Sequence, residues 1–456
     1  MPKHPISVVV LAAGKGTRMK SKLHKVLHAI GGKAMLHHLL DSVEELSPQK
    51  TVLVVGADRE QVEAQARDCS IVTQTEQLGT GHAVMVTKAA LEGAKGDVLV
   101  LYGDVPFIPK SLMDDMIVAK ATSPNTGLVV LGFRPKDAAK YGRLVTAANG
   151  SLERIVEFKD ATEDERQIDL CNSGMMLIDG EKIFPWLASL SNDNASGEYY
   201  LTDLVAAARK DGCNVAVVEA QEEDVLGINS REDLALAEAT FQDRKRCEAL
   251  AGGVTMVDPA TVYFSHDTKL GADIAIEPGV YFGPNVTVED GVTIKAYSHL
   301  EGTHIRSGAT VGPFARLRPG ADIGEGAKIG NFVEVKKAKL EHGVKVSHLS
   351  YIGDATIGAD ANIGAGTITC NYDGFLKFET HIGAGAFIGS NSALVAPVTI
   401  GDGALVGAGS VITKDVEGDA LAVARGLQRN RAGFAATFRE TQAAKKAALT
   451  EKQKGR

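Results

Sequence analysis

Residues 382–412 read IGAGAFIGSNSALVAPVTIGDGALVGAGSVI. An aliphatic residue recurs at every sixth position of this stretch, and small residues such as glycine, alanine and serine fill much of the space between. This period is typical of a parallel β-helix, in which three hexapeptides form one triangular coil and one aliphatic side chain per face stacks inward. The recurring positions are Ile382, Ile388, Leu394, Ile400, Val406 and Ile412.

The same period extends upstream through the second half of the chain. Its positions there are Ile276, Phe282, Val288, Ile294 and Leu300, and then Val311, Leu317, Ile323, Ile329 and Val335. Of the 456 residues, 49 are glycine, and 30 of these fall after residue 250, while aromatic residues make up only 5%. Tight corners favour glycine and stacked aliphatic side chains leave little room for aromatic rings, so the repeat explains both figures.

One insertion interrupts the repeat. From Ile363 the period points to Thr369, and then NYDGFLKFETH intervenes at residues 371–381 before Ile382. These residues must loop out of the coil, and such loops commonly carry function. A tolerated surface insertion is the alternative.

The first half of the chain has a different pattern. Apolar runs suited to buried parallel strands occur at residues 6–12, 51–56, 98–102 and 127–133. Segments with helical periodicity lie between them, at residues 35–46, 59–67 and 81–91. This alternation predicts a mostly parallel sheet whose ligands bind beyond the carboxyl ends of its strands.

The first strand ends in LAAGKGTRM at residues 11–19, and Lys25 follows. Its glycines allow the backbone to approach a phosphate closely, and Arg18 and Lys25 are suited to neutralising a triphosphate. Met19 replaces the third glycine of a dinucleotide fingerprint, and the P-loop spacing is absent from this run. A tight turn without a ligand explains the two glycines equally well.

Two further strand ends carry polar groups. Asp104 follows a buried strand in LYGDVP, where a carboxylate is suited to holding Mg²⁺ against phosphate oxygens. Residues 74–82, QTEQLGTGH, are suited to hydrogen bonding with a base edge. The alternatives are an aspartate that caps a turn and a solvated loop.

Composition excludes several classes of protein. The charged fraction of 23% and the hydrophobic fraction of 44% argue against disorder. The net charge of -8 disfavours nucleic acid as a partner, and the absence of an apolar run of about 20 residues argues against membrane insertion. The five scattered cysteines never form a CxxC pair. We therefore expect a soluble, cytoplasmic protein with free thiols.

The motifs of the first half resemble the sugar-nucleotidyltransferase superfamily, and specifically its bacterial N-acetylglucosamine-1-phosphate uridylyltransferase branch. Further matching segments are YGR at 141–143, IVE at 155–157, CNSG at 171–174 and GEYYLTD at 197–203. The resemblance implies UTP and N-acetylglucosamine 1-phosphate as substrates and Mg²⁺ bound by Asp104 and Asn229. It also implies nucleotide and sugar-nucleotide contacts at Leu11, Ala12, Ala13, Gly14, Arg18, Lys25, Gln74, Gly79, Thr80, Tyr102, Gly103, Asp104, Gly142, Glu157, Asn172 and Asn229.

Two positions qualify this resemblance. Ser230 and Asp233 have the spacing of a helix capping box, so Asn229 is alternatively a residue that helps the next helix begin. His24 stands where relatives commonly have proline, which puts the stiffness of the loop before Lys25 in question.

The second half resembles the glucosamine-1-phosphate N-acetyltransferase half of the same bifunctional bacterial family. The matching segments are GPFARLRPG at 312–320, NFVEVKKA at 331–338, HLSYIGDA at 348–355 and NIGAGTITCNYDG at 362–374. The resemblance implies glucosamine 1-phosphate bound by Arg318, Lys336, Tyr351, Asn362 and Lys377. It implies acetyl-CoA bound by Ala365, Asn371, Tyr372, Ser390, Ala408 and Arg425.

His348 is the candidate base for acetyl transfer. A neutral amine must attack the thioester, and imidazole can accept its proton near neutral pH. Taken alone, a histidine is more often a packed or solvated side chain, and it is the HLSY context that favours catalysis.

These inferences define an organisation. Residues 1–231 are expected to form an α/β, Rossmann-like uridylyltransferase domain, and residues 232–252 a helical linker. Residues 253–456 are expected to form a left-handed parallel β-helix acetyltransferase domain with a C-terminal tail. β-Helix acyltransferases are commonly trimers, so a homotrimer is expected.

Three alternatives remain open. One is a sugar-1-phosphate nucleotidyltransferase whose β-helix only mediates oligomerisation. Another is a guanylyl- or thymidylyltransferase, and the third is a scaffold that binds a sugar nucleotide without catalysis.

Overall fold

The computed structural model describes residues 5–14, 16–57, 59–123, 125–138, 141–194 and 196–454. The chain divides into two compact units. The first comprises Met1–Gly252, Pro259–Thr268 and Phe282–Asn285, and the second comprises Gly253–Asp258, Lys269–Tyr281 and Val286–Arg456.

The first unit alternates strands and helices. In chain order its strands β1 to β11 are Ile6–Ala12, Ala29–Ile30, Lys33–Ala34, Lys50–Val55, Ser70–Thr73, Asp97–Tyr102, Thr126–Phe133, Arg143–Thr146, Leu152–Val156, Cys171–Asp179 and Asn214–Ala220. Its helices α1 to α8 are Met35–Leu46, Glu60–Glu63, Thr80–Met85, Lys110–Thr122, Glu163–Arg166, Ile183–Ala188, Leu204–Lys210 and Arg231–Ala251. Short 3₁₀ turns occur at Thr17–Met19, Lys25–Leu27, Leu201–Asp203, Glu222–Asp224 and Pro259–Thr261.

A nine-stranded, mostly parallel sheet organises this unit. Its main path is β11-β7-β10-β6-β1-β4-β5, and β8 and β9 extend it from β10. Strand β10 is antiparallel to both of its neighbours β6 and β7. Alternate residues of β1 enter different clusters, Val8 and Val10 on one face and Val9 and Leu11 on the other. Both faces are therefore covered, as the continuous apolar runs predict.

Two predicted helices are shorter than expected. The segment 59–67 forms a helix only over Glu60–Glu63, and 81–91 only over Thr80–Met85. Arg67 has a positive φ of 50°, which a continuing right-handed helix does not allow. Beyond Met85, the N–H groups of Thr87 and Lys88 bond to carbonyls three residues back, so the chain tightens into turns.

Helix α8 begins at the predicted capping box. The Ser230 side chain accepts the N–H of Asp233, and the Asp233 carboxylate accepts the N–H of Ser230. Further along the helix, the buried Gln242 amide donates to the Phe264 carbonyl at 2.7 Å and accepts the Phe264 N–H at 2.8 Å. The helix expected to be a linker therefore packs within the first unit and holds residues 259–268 there.

His38 on α1 makes the stability of this unit depend on pH. Its Nε2 atom lies 2.9 Å from the Ile30 carbonyl oxygen, and its ring packs edge-on against Phe107 and Phe241. Burial lowers the pKa of His38 to about 4, and the charge of Lys33 acts in the same direction. The folded protein binds a proton at His38 more weakly than the unfolded chain does. Neutral His38 therefore contributes its full share of the folding stability above pH ~6.5, and this share is lost as pH falls towards about 4.

We expect the first unit to lose about 2 kcal/mol more stability between pH 7 and pH 4.5 in the parent protein than in His38→Phe. The phenylalanine keeps the ring packing and removes the titration. Urea unfolding followed by tryptophan fluorescence measures this, because the single tryptophan, Trp186, is buried in the first unit. Equal losses in the two proteins would contradict the assignment.

The second unit consists mainly of short parallel strands that pair from coil to coil. The strands β12 to β35 are Thr255–Met256, Lys269–Leu270, Ala275–Ile276, Tyr281–Phe282, Thr287–Val288, Thr293–Ile294, His299–Leu300, Thr303–Ile305, Thr310–Val311, Arg316–Leu317, Ala321–Ile323, Lys328–Asn331, Glu334–Leu340, Lys345–His348, Tyr351–Ile357, Asn362–Ile363, Ile368–Cys370, Thr380–Ile382, Phe387–Ile388, Ala393–Val395, Val398–Ile400, Leu405–Val406, Val411–Ile412 and Leu421–Ala422. The stacking is parallel, with Ile276 paired to Ile294 and Ile294 paired to Val311.

The repeat positions form the interior of the coil. All of the aliphatic positions predicted from the period, together with Phe282, are buried. The insertion loops out over residues 371–379, because the last two residues predicted for it, Thr380 and His381, belong to strand β29. Within the loop, Tyr372 and Lys377 form an isolated antiparallel bridge.

The tail forms helix α9, Phe434–Lys454. Its described side chains are exposed. Among the helices that the structure describes, α9 included, no stretch is long and apolar enough to cross a membrane.

Candidate active sites

A cavity of about 270 Å³ lies at the carboxyl ends of strands β1 and β6. Predicted nucleotide residues provide most of its walls, with backbone from the LAAG run and side chains from other loops. The predicted residues that line it are Leu11, Ala12, Ala13, Gly14, Lys25, Gln74, Gly79, Thr80, Tyr102 and Asp104. The parallel sheet thus brings together three segments that are far apart in sequence.

Lys25, Asp104 and Asn229 converge beside this cavity. The Lys25 ammonium forms an ion pair with the Asp104 carboxylate and lies 3.2 Å from the Asn229 Oδ1 atom. The Lys25 and Asp104 side chains are only 12% and 18% exposed. Oxygen atoms from two different loops therefore face one cation. Oxygen atoms are also the ligands that Mg²⁺ prefers. The described residues contain no cluster of three or more His, Cys, Asp or Glu side chains that could hold a metal ion, so other ligands would have to complete such a site.

Asn229 lies at the start of helix α8 and also faces Lys25. Its backbone N–H donates to Asp233 at 2.9 Å, next to the capping box. Its side-chain Nδ2 donates to the Gly227 carbonyl at 3.4 Å, which leaves Oδ1 facing Lys25. The Ile228 N–H donates to the Asp104 carbonyl at 3.0 Å, so the loop of Asn229 is tied directly to the loop of Asp104.

Two side-chain amides hold the backbone that lines the pocket. Gln74 is buried, and its Nε2 atom donates to the Gly79 carbonyl at 3.0 Å. Gln77 donates from Nε2 to the Ala13 carbonyl at 2.5 Å and so fixes the end of the first strand. Burial raises the pKa of Tyr102 well above its ordinary value, and the charge of Asp104 acts in the same direction. The phenol therefore stays protonated and can donate a hydrogen bond.

Sequence reasoning missed four of the lining residues. These are Val26, Gln77, Ala83 and Glu198. Gln77 and Glu198 lie inside the quoted motifs EQLG and GEYY, so the sequence carried a signal for both residues. Val26 and Ala83 are apolar and carried no distinguishing signal.

Several predicted residues lie outside the cavity lining. Gly142 and Asn172 are joined directly, because the Asn172 N–H donates to the Gly142 carbonyl at 2.8 Å. Glu157 is on a neighbouring segment, and burial together with the charges of Asp160 and Asp203 raises its pKa. The remaining residues outside the lining are Arg18, Gly103 and Asn229.

Arg143 connects the segments that were predicted to bind the sugar. Although charged, it is only 2% exposed, and its guanidinium donates to the carbonyls of Ala138 and Tyr141, both at 2.5 Å. It also lies over the Phe158 ring, 5.5 Å from the centroid, and 3.8 Å from the Cys171 sulfur. Gly142, Glu157 and Asn172 are each adjacent to one of these contacts.

In the second unit, three predicted cationic side chains occupy one region of the β-helix. Arg318 and Lys336 follow paired residues, Leu317 and Val335, on adjacent coils. Through a hydrogen-bond contact and its charge, Lys377 lowers the pKa of Lys336, with smaller contributions from burial and from Arg318. Mutual repulsion of cations favours a bound anion at this place.

The insertion loop places Lys377 beside Lys336. The Phe378 N–H donates to the Asn371 carbonyl at 3.0 Å, and the Asp373 carboxylate accepts the N–H groups of Phe375 and Leu376. These backbone hydrogen bonds lower the pKa of Asp373. The insertion is therefore an ordered hairpin with a defined side-chain arrangement.

Asn371 connects this loop to the HLSYIGDA segment. Its Nδ2 atom donates to Asp354 Oδ2 at 2.5 Å and lies 3.4 Å from the Tyr351 hydroxyl. Sequence reasoning missed Asp354, although it belongs to a quoted motif. Its contact depends on the path of the loop, which the sequence pattern does not reveal.

His348 lies at the end of strand β25, where its backbone pairs with Asn331 of the coil below. The side chain is exposed. One corner separates it from Tyr351, and the Ser350 hydroxyl donates to the His348 carbonyl at 3.1 Å within that corner.

The predicted acetyl-CoA residues follow successive coils. The Ala365 carbonyl accepts the N–H of Asn391, next to Ser390, and the Ser390 carbonyl accepts the N–H of Gly409, next to Ala408. Arg425 approaches Gly409 on the next coil. Asn362, predicted at the sugar phosphate, pairs through its backbone with Lys345 and Phe387.

Comparison with known sequences addresses both halves. Residues 8–169 match the MobA-like NTP transferase domain family, and residues 302–337 and 379–414 match the bacterial transferase hexapeptide family (six repeats). The predicted fold class, an α/β nucleotidyltransferase domain and a left-handed β-helix, is confirmed.

Close relatives cover nearly the whole chain. A protein of Rhizorhabdus wittichii is 58% identical over 98% of this chain and 100% of its own length, and it is named bifunctional protein GlmU. Proteins of Paramagnetospirillum magneticum and Zymomonas mobilis bear the same name at 56% and 52% identity, over 98% and 96% of this chain and 99% and 98% of their own lengths.

This chain belongs to the bifunctional GlmU family. The family assignment confirms two predicted activities of this GlmU-family enzyme, uridylyl transfer and acetylation of glucosamine 1-phosphate, which together serve UDP-N-acetylglucosamine synthesis. The alternatives in which the β-helix is non-catalytic or the whole chain is a scaffold are thereby set aside.

Proposed function

We propose that the two activities are divided between the two parts of the chain. Uridylyl transfer is assigned to residues 1–231, with helix 232–252 attached, and acetyl transfer to residues 253–456. The observation that carries this proposal is the presence of two separate sets of matched residues, each gathered in one unit. UTP, acetyl-CoA, glucosamine 1-phosphate and N-acetylglucosamine 1-phosphate are the proposed substrates.

In uridylyl transfer, a phosphate oxygen of N-acetylglucosamine 1-phosphate attacks the α-phosphorus of UTP, and pyrophosphate leaves. The protein contributes positioning and charge neutralisation, because no covalent intermediate is required. The cavity residues Gln74, Gly79 and Thr80 would hold the uracil. Gly142, Glu157 and Asn172 would hold the sugar.

The residues beside the cavity would neutralise the charge of the phosphates. Lys25 and Arg18 would neutralise the triphosphate, and Asp104 and Asn229 would hold Mg²⁺. The ion, when bound, supplies charge stabilisation at the phosphate oxygens. The convergence of the Asp104 carboxylate and Asn229 Oδ1 on the Lys25 ammonium supports this assignment, since the same oxygens suit a metal cation.

Removal of divalent ions tests this division directly. With excess EDTA, we expect uridylyl transfer to fall at least about a hundredfold, while acetyl transfer stays within about twofold. Added Mg²⁺ should restore the lost activity. Measuring glucosamine 1-phosphate, acetyl-CoA and UTP consumption by mass spectrometry follows both reactions in one sample. Undiminished uridylyl transfer in EDTA would contradict the metal site.

In acetyl transfer, the amine of glucosamine 1-phosphate attacks the thioester carbonyl of acetyl-CoA. A C–N bond forms, the C–S bond breaks and coenzyme A leaves as the thiol. His348 would accept the proton that the amine loses and pass it to the departing thiolate. Arg318, Lys336 and Lys377 would bind the phosphate, with Tyr351 and Asn362 at the sugar. The lowered pKa of Lys336 supports an anion site, because binding a dianion relieves the repulsion between the lysines.

The acetyl donor would lie along the column of residues that includes Ala365, Ser390 and Ala408. Asn371, Tyr372 and Arg425 complete the proposed acetyl-CoA site. The hydrogen bonds from coil to coil along this column support it, because they align the small residues into a continuous surface.

We propose that the enzyme is a homotrimer whose acetyltransferase sites lie between neighbouring β-helices. Tyr297, Phe314 and Phe332 form an exposed stack with ring centroids 5.2 Å apart, and Leu349 continues the column. These four side chains are 47–61% exposed. A contiguous apolar column of this kind is typical of a protein interface. The column ends beside His348, which places the proposed interface next to the proposed base.

A charge in this column tests the assembly. We expect Phe314→Glu to shift the sedimenting mass from three chains towards one and to lower acetyl transfer at least about tenfold. Uridylyl transfer should persist. Phe438→Glu is the matched control, since it places the same charge on an exposed aromatic residue of helix α9. An active parent monomer, or an unchanged trimer of Phe314→Glu, would refute the interface.

We also propose a cytoplasmic location. The five free cysteines are consistent with a reducing compartment.

A further inference from the structure

We propose that Gln61 is a positioning residue for uridylyl transfer, acting as a clamp on the loop that delivers Lys25 to the triphosphate site. The proposal rests on the role of Lys25 given above. It concerns a residue outside the quoted motifs and outside the cavity lining.

The clamp consists of two hydrogen bonds from one side-chain amide. The Gln61 Oε1 atom accepts the backbone N–H of His24 at 3.0 Å, and the Gln61 Nε2 atom donates to the Lys22 carbonyl at 3.0 Å. Both partners belong to the loop that immediately precedes Lys25. The Gln61 amide therefore bonds to the loop backbone in the way that a neighbouring β-strand would, although Gln61 and His24 are 37 residues apart in sequence.

Each end of the clamp is attached to the core. Val62, next to Gln61, is 0% exposed, and Val26, next to Lys25, is 2% exposed. Both valines belong to the same buried hydrophobic cluster. The clamp thus joins the exposed part of the loop to a segment whose own position is fixed by packing.

The part of the loop before His24 belongs to no helix or strand. Lys20 to Leu23 are exposed, and Lys20 has a positive φ of 49°. Within this part of the loop, the Ser21 hydroxyl accepts the Leu23 N–H at 3.0 Å. Immediately afterwards, His24 precedes the 3₁₀ turn Lys25–Leu27, whose Leu27 N–H donates to the His24 carbonyl at 3.0 Å. A backbone shift at His24 would therefore be transmitted to the Lys25 side chain.

The backbone of His24 shows how the clamp can be replaced. Its φ of -58° lies within the range that a proline ring imposes, and its ψ is 142°. A proline at this position would restrict the loop by itself and would lack the N–H that Gln61 accepts. We infer that Gln61 supplies, through hydrogen bonds, the restraint that a ring would supply covalently.

The test compares Gln61→Ala with its combination with His24→Pro. Gln61→Ala is expected to lower kcat for uridylyl transfer about three- to tenfold, the range for two exposed hydrogen bonds, with acetyl transfer unchanged. His24→Pro in the Gln61→Ala background is expected to recover most of this loss. Gln49→Ala is the matched control, because it removes another exposed glutamine that bonds a backbone N–H, that of Lys95 at 3.2 Å.

A second readout reports the loop directly. Limited trypsin digestion followed by mass spectrometry measures cleavage after Lys22, which should become faster in Gln61→Ala and slow again in the double variant. A purely structural role of Gln61 would lower thermal stability without this pattern of loss and rescue.

The outcomes separate this proposal from the one on which it depends. Wild-type uridylyl transfer in Gln61→Ala, or no recovery in a folded double variant, would overturn the clamp, whereas a strong loss in Lys25→Ala would still uphold the role of Lys25. Unchanged uridylyl transfer in Lys25→Ala would overturn both. Loss in Gln61→Ala with recovery by His24→Pro would support the clamp.

Discussion

Replacing Asp104 by alanine is expected to lower uridylyl transfer by about a factor of 10²–10⁴ while acetyl transfer stays within about twofold of the parent protein. The substitution removes the only carboxylate of the Lys25, Asp104 and Asn229 group. Without it, one proposed Mg²⁺ ligand is lost, and the Lys25 ammonium loses the ion pair that holds it. Separate assays of pyrophosphate release and of thiol release measure the two activities.

A matched variant makes the result specific. Asp114→Ala also removes an aspartate paired with a lysine, Lys110, but this pair lies on helix α4 and its side chains are 37% and 45% exposed. It should leave both activities unchanged. Asp104→Asn keeps the volume and one oxygen, so we expect an activity between those of the parent and Asp104→Ala. A parallel decrease of both activities in well-folded Asp104→Ala would contradict the division of chemistry.

Replacing His348 by alanine is expected to have the reverse effect. Acetyl transfer should fall by about 10²–10⁴-fold, because the amine then loses its proton to water instead of to a positioned base. Uridylyl transfer should not change. The deficit should become smaller as pH rises, since a larger fraction of the amine is already neutral. Thiol release across a range of pH measures this dependence.

His342→Ala is the control for His348. His342 is another exposed histidine of the second unit, with its Nε2 atom 3.6 Å from Asp360 Oδ2. Its removal should leave acetyl transfer within about twofold. A pH-independent loss in His348→Ala, or an equal loss in His342→Ala, would show that His348 does not act as the base.

Much of the fold follows from local patterns in the sequence. Strand β1 and helix α1 have the predicted bounds, and the repeat positions of the second half are all buried. Periodicity works for these elements because a coil of three hexapeptides, or an amphipathic helix, repeats one local environment many times. It fails at the ends of 59–67 and 81–91, where a positive φ and tightened turns interrupt a pattern that the residues alone would continue.

The sequence predicted candidate site residues only where these residues lie in recognisable motifs. Asp104 and Lys25 stand in recognisable segments, and the structure brings them into contact. Asp354 and Gln61 were not singled out, because each is ordinary in its own segment and becomes distinctive only through a partner on another loop.

By itself, the sequence determined the two architectures and the family, because repeat period, strand alternation and motifs are properties of contiguous residues. Only the tertiary structure decided which side chains meet. It placed helix α8 within the first unit, oriented the Asn229 amide towards Lys25 and set Lys377 beside Lys336. Such contacts depend on how loops from distant strand ends and coils pack together, and a one-dimensional pattern holds no record of that packing.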